Sequence, residues 1–149
     1  MKSLAKRKKK KKPSKPSLAE LKGTAWEWYS KYIRVRDSIR TTGTPDRCTC
    51  CTCGKEYPAF GIGCIQAGHF IPGRHNSVIF NDKNVHGQCY VCNYRLKGNW
   101  SKYYKFMLDT YGQETIDTLR KEDNYIHPFT RDELEAVIEK CRLFVEANR

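Results

Sequence analysis

Apolar residues recur at helical spacing from Ser17 to about Arg40, at Leu18, Leu21, Ala25, Trp28, Tyr32, Val35 and Ile39. This pattern predicts an amphipathic helix. Ser17-Leu18-Ala19-Glu20 fits a capping box at its start, and Thr42-Gly43-Thr44-Pro45-Asp46 breaks it. Lys31, Arg34, Arg36 and Arg40 fit either a basic face for a phosphate backbone or an ordinary solvated face. From Arg47 to Leu96 the pattern shortens into a Cys/His/Gly-rich region. There the Gly-punctuated run Tyr57 to Phe70 predicts short strands, Val78-Ile79-Phe80 another strand, and Asn81 to Asn84 a turn. A helix is expected to start between Cys89 and about Tyr94. Trp100 to Tyr111 predicts a helix closed by Gly112, and Gln113 to Lys121 a second short one. Thr130-Arg131-Asp132-Glu133 is a further capping box. It opens a helix through about Ala147 whose apolar side is Leu134, Val137, Ile138, Cys141, Phe144 and Val145. Trp26, Trp28 and Trp100 are expected in the core.

Short strands between helices predict an α+β protein, and 149 residues allow one ordinary domain. No run approaches the roughly 18 apolar residues of a membrane span. No apolar segment follows the basic N-terminus, so a secretory signal and a membrane partner are not expected, and the chain is placed in the cytoplasm. The formal charge is +12, and it is uneven. Residues 1–16 hold nine Lys/Arg and no acid, whereas Asp109 to the C-terminus holds six basic and ten acidic residues. The chain therefore divides into a disordered lysine-rich arm (1–16), an N-terminal helix and turn (17–46), a Cys/His core (47–99) and a helical scaffold (100–149). Like charges and two prolines keep the arm unfolded. Its lysines, Lys8, Lys9, Lys10 and Lys11 among them, suit phosphate contacts that release counterions, and equally a solubilising or localisation tail.

Eight cysteines in a reducing compartment point to metal rather than disulfides. Cys50-x-x-Cys53-Gly54 and Cys89-x-x-Cys92-Asn93 are two knuckles, each able to offer two thiolates to a tetrahedral zinc. Cys48-x-x-Cys51 is a second register for the first knuckle. Gly54 favours Cys50/Cys53, because a glycine there lets backbone amides turn toward sulfur. Cys141 and Cys64 read as structural. The 35 residues between the knuckles exceed what a zinc ribbon needs, and they contain His69, His75 and His86.

Hydrolysis of a phosphodiester needs a base for the attacking water and a cation for the developing charge. A neutral histidine serves as the base near neutral pH. A hard cation takes oxygen ligands and keeps its waters. His69 follows Gly68, where backbone and substrate can approach closely, and Asn93 follows the second knuckle, which would fix its position. Arg74 can clamp a phosphate.

This constellation resembles the HNH, or ββα-metal, nucleases: a CxxC, a His on the first strand, an Asn at the hairpin turn, a CxxC and a final Asn or His on the helix, here Cys50/Cys53, His69, Asn84, Cys89/Cys92 and Asn93. The strings AGHF, FNDKNVHGQCYVCN, LKGN and YGQETIDTL are more specifically similar to the phage NinG/Rap recombination proteins. The resemblance implies a zinc-bound ββα-metal core between flanking helices. It also implies an Mg²⁺- or Mn²⁺-dependent endonuclease of phage recombination, acting on branched DNA such as Holliday junctions. By position, His69 would be the general base and Asn93 a ligand of the catalytic metal. Asn84 would pin the turn or orient His69, and His86 would meet the phosphate or metal. Gln88 and Asn99 would position the site. Gly68 departs from many HNH sites, which carry an Asp or His ligand there. Symmetric junction cutting would want a homodimer. The rival expectation is a zinc-finger protein that binds nucleic acid without cutting it.

Overall fold

A computed structural model describes residues 14–73 and 77–149. The lysines at 8–11 and Arg74, assigned above to nucleic-acid contact, lie outside the described residues, as does His75.

The chain folds as a mixed α+β protein with two small antiparallel sheets. Helix α1 (Leu18–Thr42) starts at Ser17, whose hydroxyl and the Glu20 carboxylate form the expected capping box. It ends at Gly43, where φ of 76° gives the left-handed cap a glycine adopts freely. Strands β1 (Arg47–Thr49) and β2 (Glu56–Pro58) form one hairpin. Strands β3 (Gln66–His69) and β4 (Val85–Gln88) form the other, with Gln66 opposite Gln88 and His69 opposite Val85. Helices α2 (Trp100–Tyr111), α3 (Gln113–Asp123) and α4 (Arg131–Asn148) follow. Gly112 closes α2, and Thr130 with Glu133 caps α4.

Helix α1 packs along α4 and across the β3–β4 hairpin, burying Tyr29, Ile33, Val35, Ala67, Val85, Cys141 and Val145 in one cluster. A second cluster joins Phe70, Ile71 and Val78 to Tyr103 and Met107 of α2 and Ile116 and Leu119 of α3. The β3–β4 hairpin is thus held from both faces. Polar ties fix its position. Asp82 accepts from the phenols of Tyr29 and Tyr32, each at 3.0 Å, and pairs with Lys140 at 3.0 Å. Burial opposes ionisation of Asp82, but Lys140 and the two phenols outweigh it and hold the carboxyl below its usual range. Arg36 donates to the carbonyls of Asp82 and Val85, and Asp37 accepts the Gly87 amide at 2.7 Å.

Several local expectations are corrected. Val78-Ile79-Phe80 is a single 3₁₀ turn (Ser77–Phe80), not a strand. The buried Asn84 amide takes the carbonyls of Ile71 and Val78, and Asn81 N–H also bonds to Val78, so these groups are satisfied without a strand partner. The segment after Cys89 forms one wide turn (Val91–Arg95) with a bond from Leu96 N–H to the Val91 carbonyl, instead of an α-helix. Trp100 is half-exposed, and so is Leu18 at the first turn of α1. Arg36 is drawn inward by the carbonyls of Asp82 and Val85, and Arg34 stacks on Phe60, so neither belongs to a free basic face.

Candidate functional site

Four sulfurs converge where the two hairpins meet. The Sγ atoms of Cys50, Cys53, Cys89 and Cys92 all lie within 4.8 Å of one another. A tetrahedral zinc–thiolate centre with bonds of about 2.3 Å needs sulfurs about 3.8 Å apart, and Cys53 and Cys89 are 3.9 Å apart. These four can bind a metal such as zinc. Gly54, at φ of 74°, returns its N–H to the Cys50 carbonyl. The Cys89 amide donates to Cys50 Sγ, the Cys92 amide to Cys89 Sγ, and Asn99 Nδ2 to Cys92 Sγ. Burial works against ionisation of Cys50. Hydrogen bonds from Thr52 and from the Cys53 and Cys89 amides overcome it and bring the thiol down to about 7. Cys48 is elsewhere: its sulfur packs against Gly87, where an added Cβ would sit 2.7 Å away. Burial pushes its thiol up to about 12. The geometry therefore selects the Cys50/Cys53 register.

His69 ends β3 beside a cavity of about 380 Å³ that Asn93, Lys97 and Trp100 also line. The structure thus brings His69 and Asn93 to one cavity. Nε2 of His69 lies 3.1 Å from the Ile79 carbonyl. A carbonyl can only accept, so the neutral ring carries its proton on Nε2 and presents Nδ1 as the acceptor. The Trp26 indole stacks on the imidazole, with centroids 4.8 Å apart and planes at 22°. Burial pushes the His69 pKa below its ordinary value, partly offset by the bond to Ile79.

Asn93 Nδ2 donates to Gln66 Oε1 at 2.8 Å, which turns Asn93 Oδ1 toward Gly68. Gln88, fully buried, donates through Nε2 to the Gly98 carbonyl at 2.8 Å and to Thr52. Its Oε1 meets no hydrogen-bond donor among the described residues.

His86 does not join this group. It is 1% exposed and does not line the cavity that His69 and Asn93 share. Tyr103 donates its O–H to the Gly68 carbonyl at 2.7 Å, so it must accept from His86 Nδ1 at 3.1 Å. His86 Nε2 then accepts from Tyr111, 2.8 Å away. Burial lowers the His86 pKa to about 3. This chain of three side chains anchors the backbone at Gly68, next to His69. Asn84 is also fully buried, and its side chain pins Ile71 and Val78 on the loop that carries Ile79.

Sequence reasoning missed Trp26 as a neighbour of His69, because its place on α1 reads as core. It also missed Tyr103 and Tyr111 as the partners of His86, since nothing local marks residues 17 and 25 positions away. Gln88 carried a signal: it stands directly before one knuckle cysteine as Asn93 stands directly after its pair.

The family model described as bacteriophage lambda NinG protein matches residues 2–148. Protein ninG of Escherichia phage lambda is 27% identical over 89 residues, covering 56% of this chain and 43% of that protein. Protein ninG of Enterobacteria phage H19B is 26% identical and that of Salmonella phage P22 is 24% identical, again over 89 residues. The matched stretch thus spans less than half the length of these relatives. No solved structure matches the chain.

Proposed function

The chain belongs to the bacteriophage NinG family, and on that premise we propose that it is a metal-dependent DNA endonuclease of phage recombination. It hydrolyses phosphodiesters in branched DNA, in the cytoplasm of the infected host. The observation that carries this reading is the shared cavity of His69 and Asn93, built on the four-cysteine cluster. The order hairpin β3–β4, knuckle, Asn93 turn fits a ββα-metal core in which the usual helix is replaced by the wide turn at Val91–Arg95.

Zinc held by Cys50, Cys53, Cys89 and Cys92 would join the β1–β2 hairpin to the end of β4 and fix Asn93 one residue from a ligand. Its role would be structural, since four thiolates leave no open position. The donor atoms near Gly68 are amide oxygens, which suit a hard cation such as Mg²⁺ or Mn²⁺. Asn93 Oδ1 would hold that ion. When bound it stabilises charge on the phosphate and the leaving oxygen.

His69 performs the proton transfer. Its Nδ1 accepts a proton from the attacking water, while Nε2–H stays bonded to the Ile79 carbonyl and shares the new positive charge. Trp26 holds the ring plane and shields one face from water. Because burial keeps the imidazole neutral below its ordinary pKa, the base form is populated at neutral pH. Lys97, on the cavity wall, faces the incoming phosphate, and the lysine-rich N-terminal residues raise local DNA concentration.

A synthetic four-way junction with Mg²⁺ or Mn²⁺ tests this. The wild-type chain should nick it, and His69→Ala should lose cutting by a hundredfold or more while still binding the junction. Binding without cutting by the wild type in any divalent metal would instead make the protein a zinc-stabilised nucleic-acid binder.

A further inference from the structure

We propose that Gln88 Oε1 is a second protein ligand of the catalytic cation, in the place a side chain at position 68 would fill. This inference rests on the endonuclease reading and names a residue that reading does not need. A Cβ built on Gly68 would lie 2.4 Å from Gln88 Oε1 and 3.2 Å from Asn93 Oδ1. Two carbonyl-type oxygens therefore converge on the spot beneath Gly68. Gly68 does not have a positive φ, so its backbone accepts any residue. What glycine provides here is space, and Gln88 Oε1 occupies it.

The orientation of Gln88 is set by the rest of the fold. Its Nε2 must face the Gly98 carbonyl, which can only accept, so Oε1 must face Gly68. That oxygen is buried and meets no donor among the described residues. A buried acceptor left unpaired is costly and rarely kept without a partner. Asn93 is held in the same sense by Gln66, so its free oxygen points to the same spot. Among the described residues neither oxygen meets a protein N–H there, and a hard cation would pair with both. Both ligands are neutral, so the site carries no charge of its own to hold a dication. The DNA phosphate must supply it, which makes cation and DNA binding mutually reinforcing.

The test measures Mn²⁺ affinity of the zinc-loaded full chain by electron paramagnetic resonance, with and without a four-way junction bearing non-hydrolysable linkages. Wild type should bind Mn²⁺ more tightly with DNA than without. Gln88→Ala should weaken Mn²⁺ binding by roughly tenfold or more, with zinc content unchanged. Adding Gly68→Asp to Gln88→Ala should restore it: the truncation removes the oxygen a Cβ at position 68 would meet at 2.4 Å, and the contacts that remain, Gln88 Cβ at 3.0 Å and Asn93 Oδ1 at 3.2 Å, need shifts of only a few tenths of an ångström. If Gln88→Ala loses zinc or unfolds, Gln88→Met keeps the volume and removes the oxygen, and the same loss is expected. Unchanged Mn²⁺ affinity in the Gln88 variants, with affinity lost in Asn93→Ala, would overturn this inference and leave the endonuclease reading standing. A wild type that binds no Mn²⁺ and leaves a normal junction uncut would overturn both.

Discussion

Asp37 is the strut between α1 and the hairpin that carries the site, and Asp37→Ala should unhinge the two. Asp37 is 4% exposed. One oxygen accepts the Gly87 amide at 2.7 Å, and the other accepts Arg36 Nε at 2.8 Å. Arg36 in turn donates from Nη1 and Nη2 to the Asp82 and Val85 carbonyls, each at 2.8 Å. Alanine removes the acceptor for a buried N–H, at about 1–3 kcal/mol. It also strips the counter-charge from a mostly buried guanidinium, and breaking a buried pair costs about 3–5 kcal/mol in all. The second figure includes the first, so a loss of about 3–5 kcal/mol is expected. Asp37→Asn keeps an oxygen for the Gly87 amide but loses the charge and the acceptor of Arg36 Nε, so its cost should be smaller than that of alanine by the bond to Gly87 that it retains. Urea unfolding of the zinc-loaded protein, followed by tryptophan fluorescence, measures both. The midpoint should fall with the slope unchanged. A loss under about 1 kcal/mol for the alanine variant would show that the strut is not what holds β4 to α1.

Other outcomes follow from the same geometry. Cys89→Ser/Cys92→Ser should abolish stoichiometric zinc in metal analysis and leave the chain largely unfolded, whereas Cys48→Ser should retain zinc. Tyr103→Phe leaves the Gly68 carbonyl and His86 Nδ1–H unpaired, which should cost about 1–3 kcal/mol in urea unfolding and lower junction cutting through Gly68. Cutting should rise with pH on a single ionisation whose midpoint lies below the ordinary histidine value of 6.5, because burial depresses the His69 pKa; a midpoint above it would refute His69 as the buried base. His86, with its pKa lowered from 6.5 to about 3, adds stability that is full above pH 6.5 and declines as pH falls toward 3. Acid titration of the unfolding free energy should show that decline, and His86→Gln should flatten it.

The sequence alone determined the α-helices α1–α4 and where each begins. Ser17 with Glu20 and Thr130 with Glu133 cap α1 and α4 as their spacing predicts, and Gly112 closes α2. These signals are local: each capping bond spans three residues. The paired cysteines were legible for the same reason, since a knuckle is one tight turn. Tertiary structure decided the rest. Whether Val78–Phe80 became a strand depended on Asn84, whose amide satisfies Val78 and Ile71 from six and thirteen residues away. Whether His86 faced the cavity depended on two phenols in α2. The direction of Gln88 Oε1 depended on the Gly98 carbonyl and on the absence of a side chain at Gly68. Periodicity fixes which residues share a face of an element, but a polar side chain's role is set by the partner the packed core brings to it, and that partner is distant in the chain.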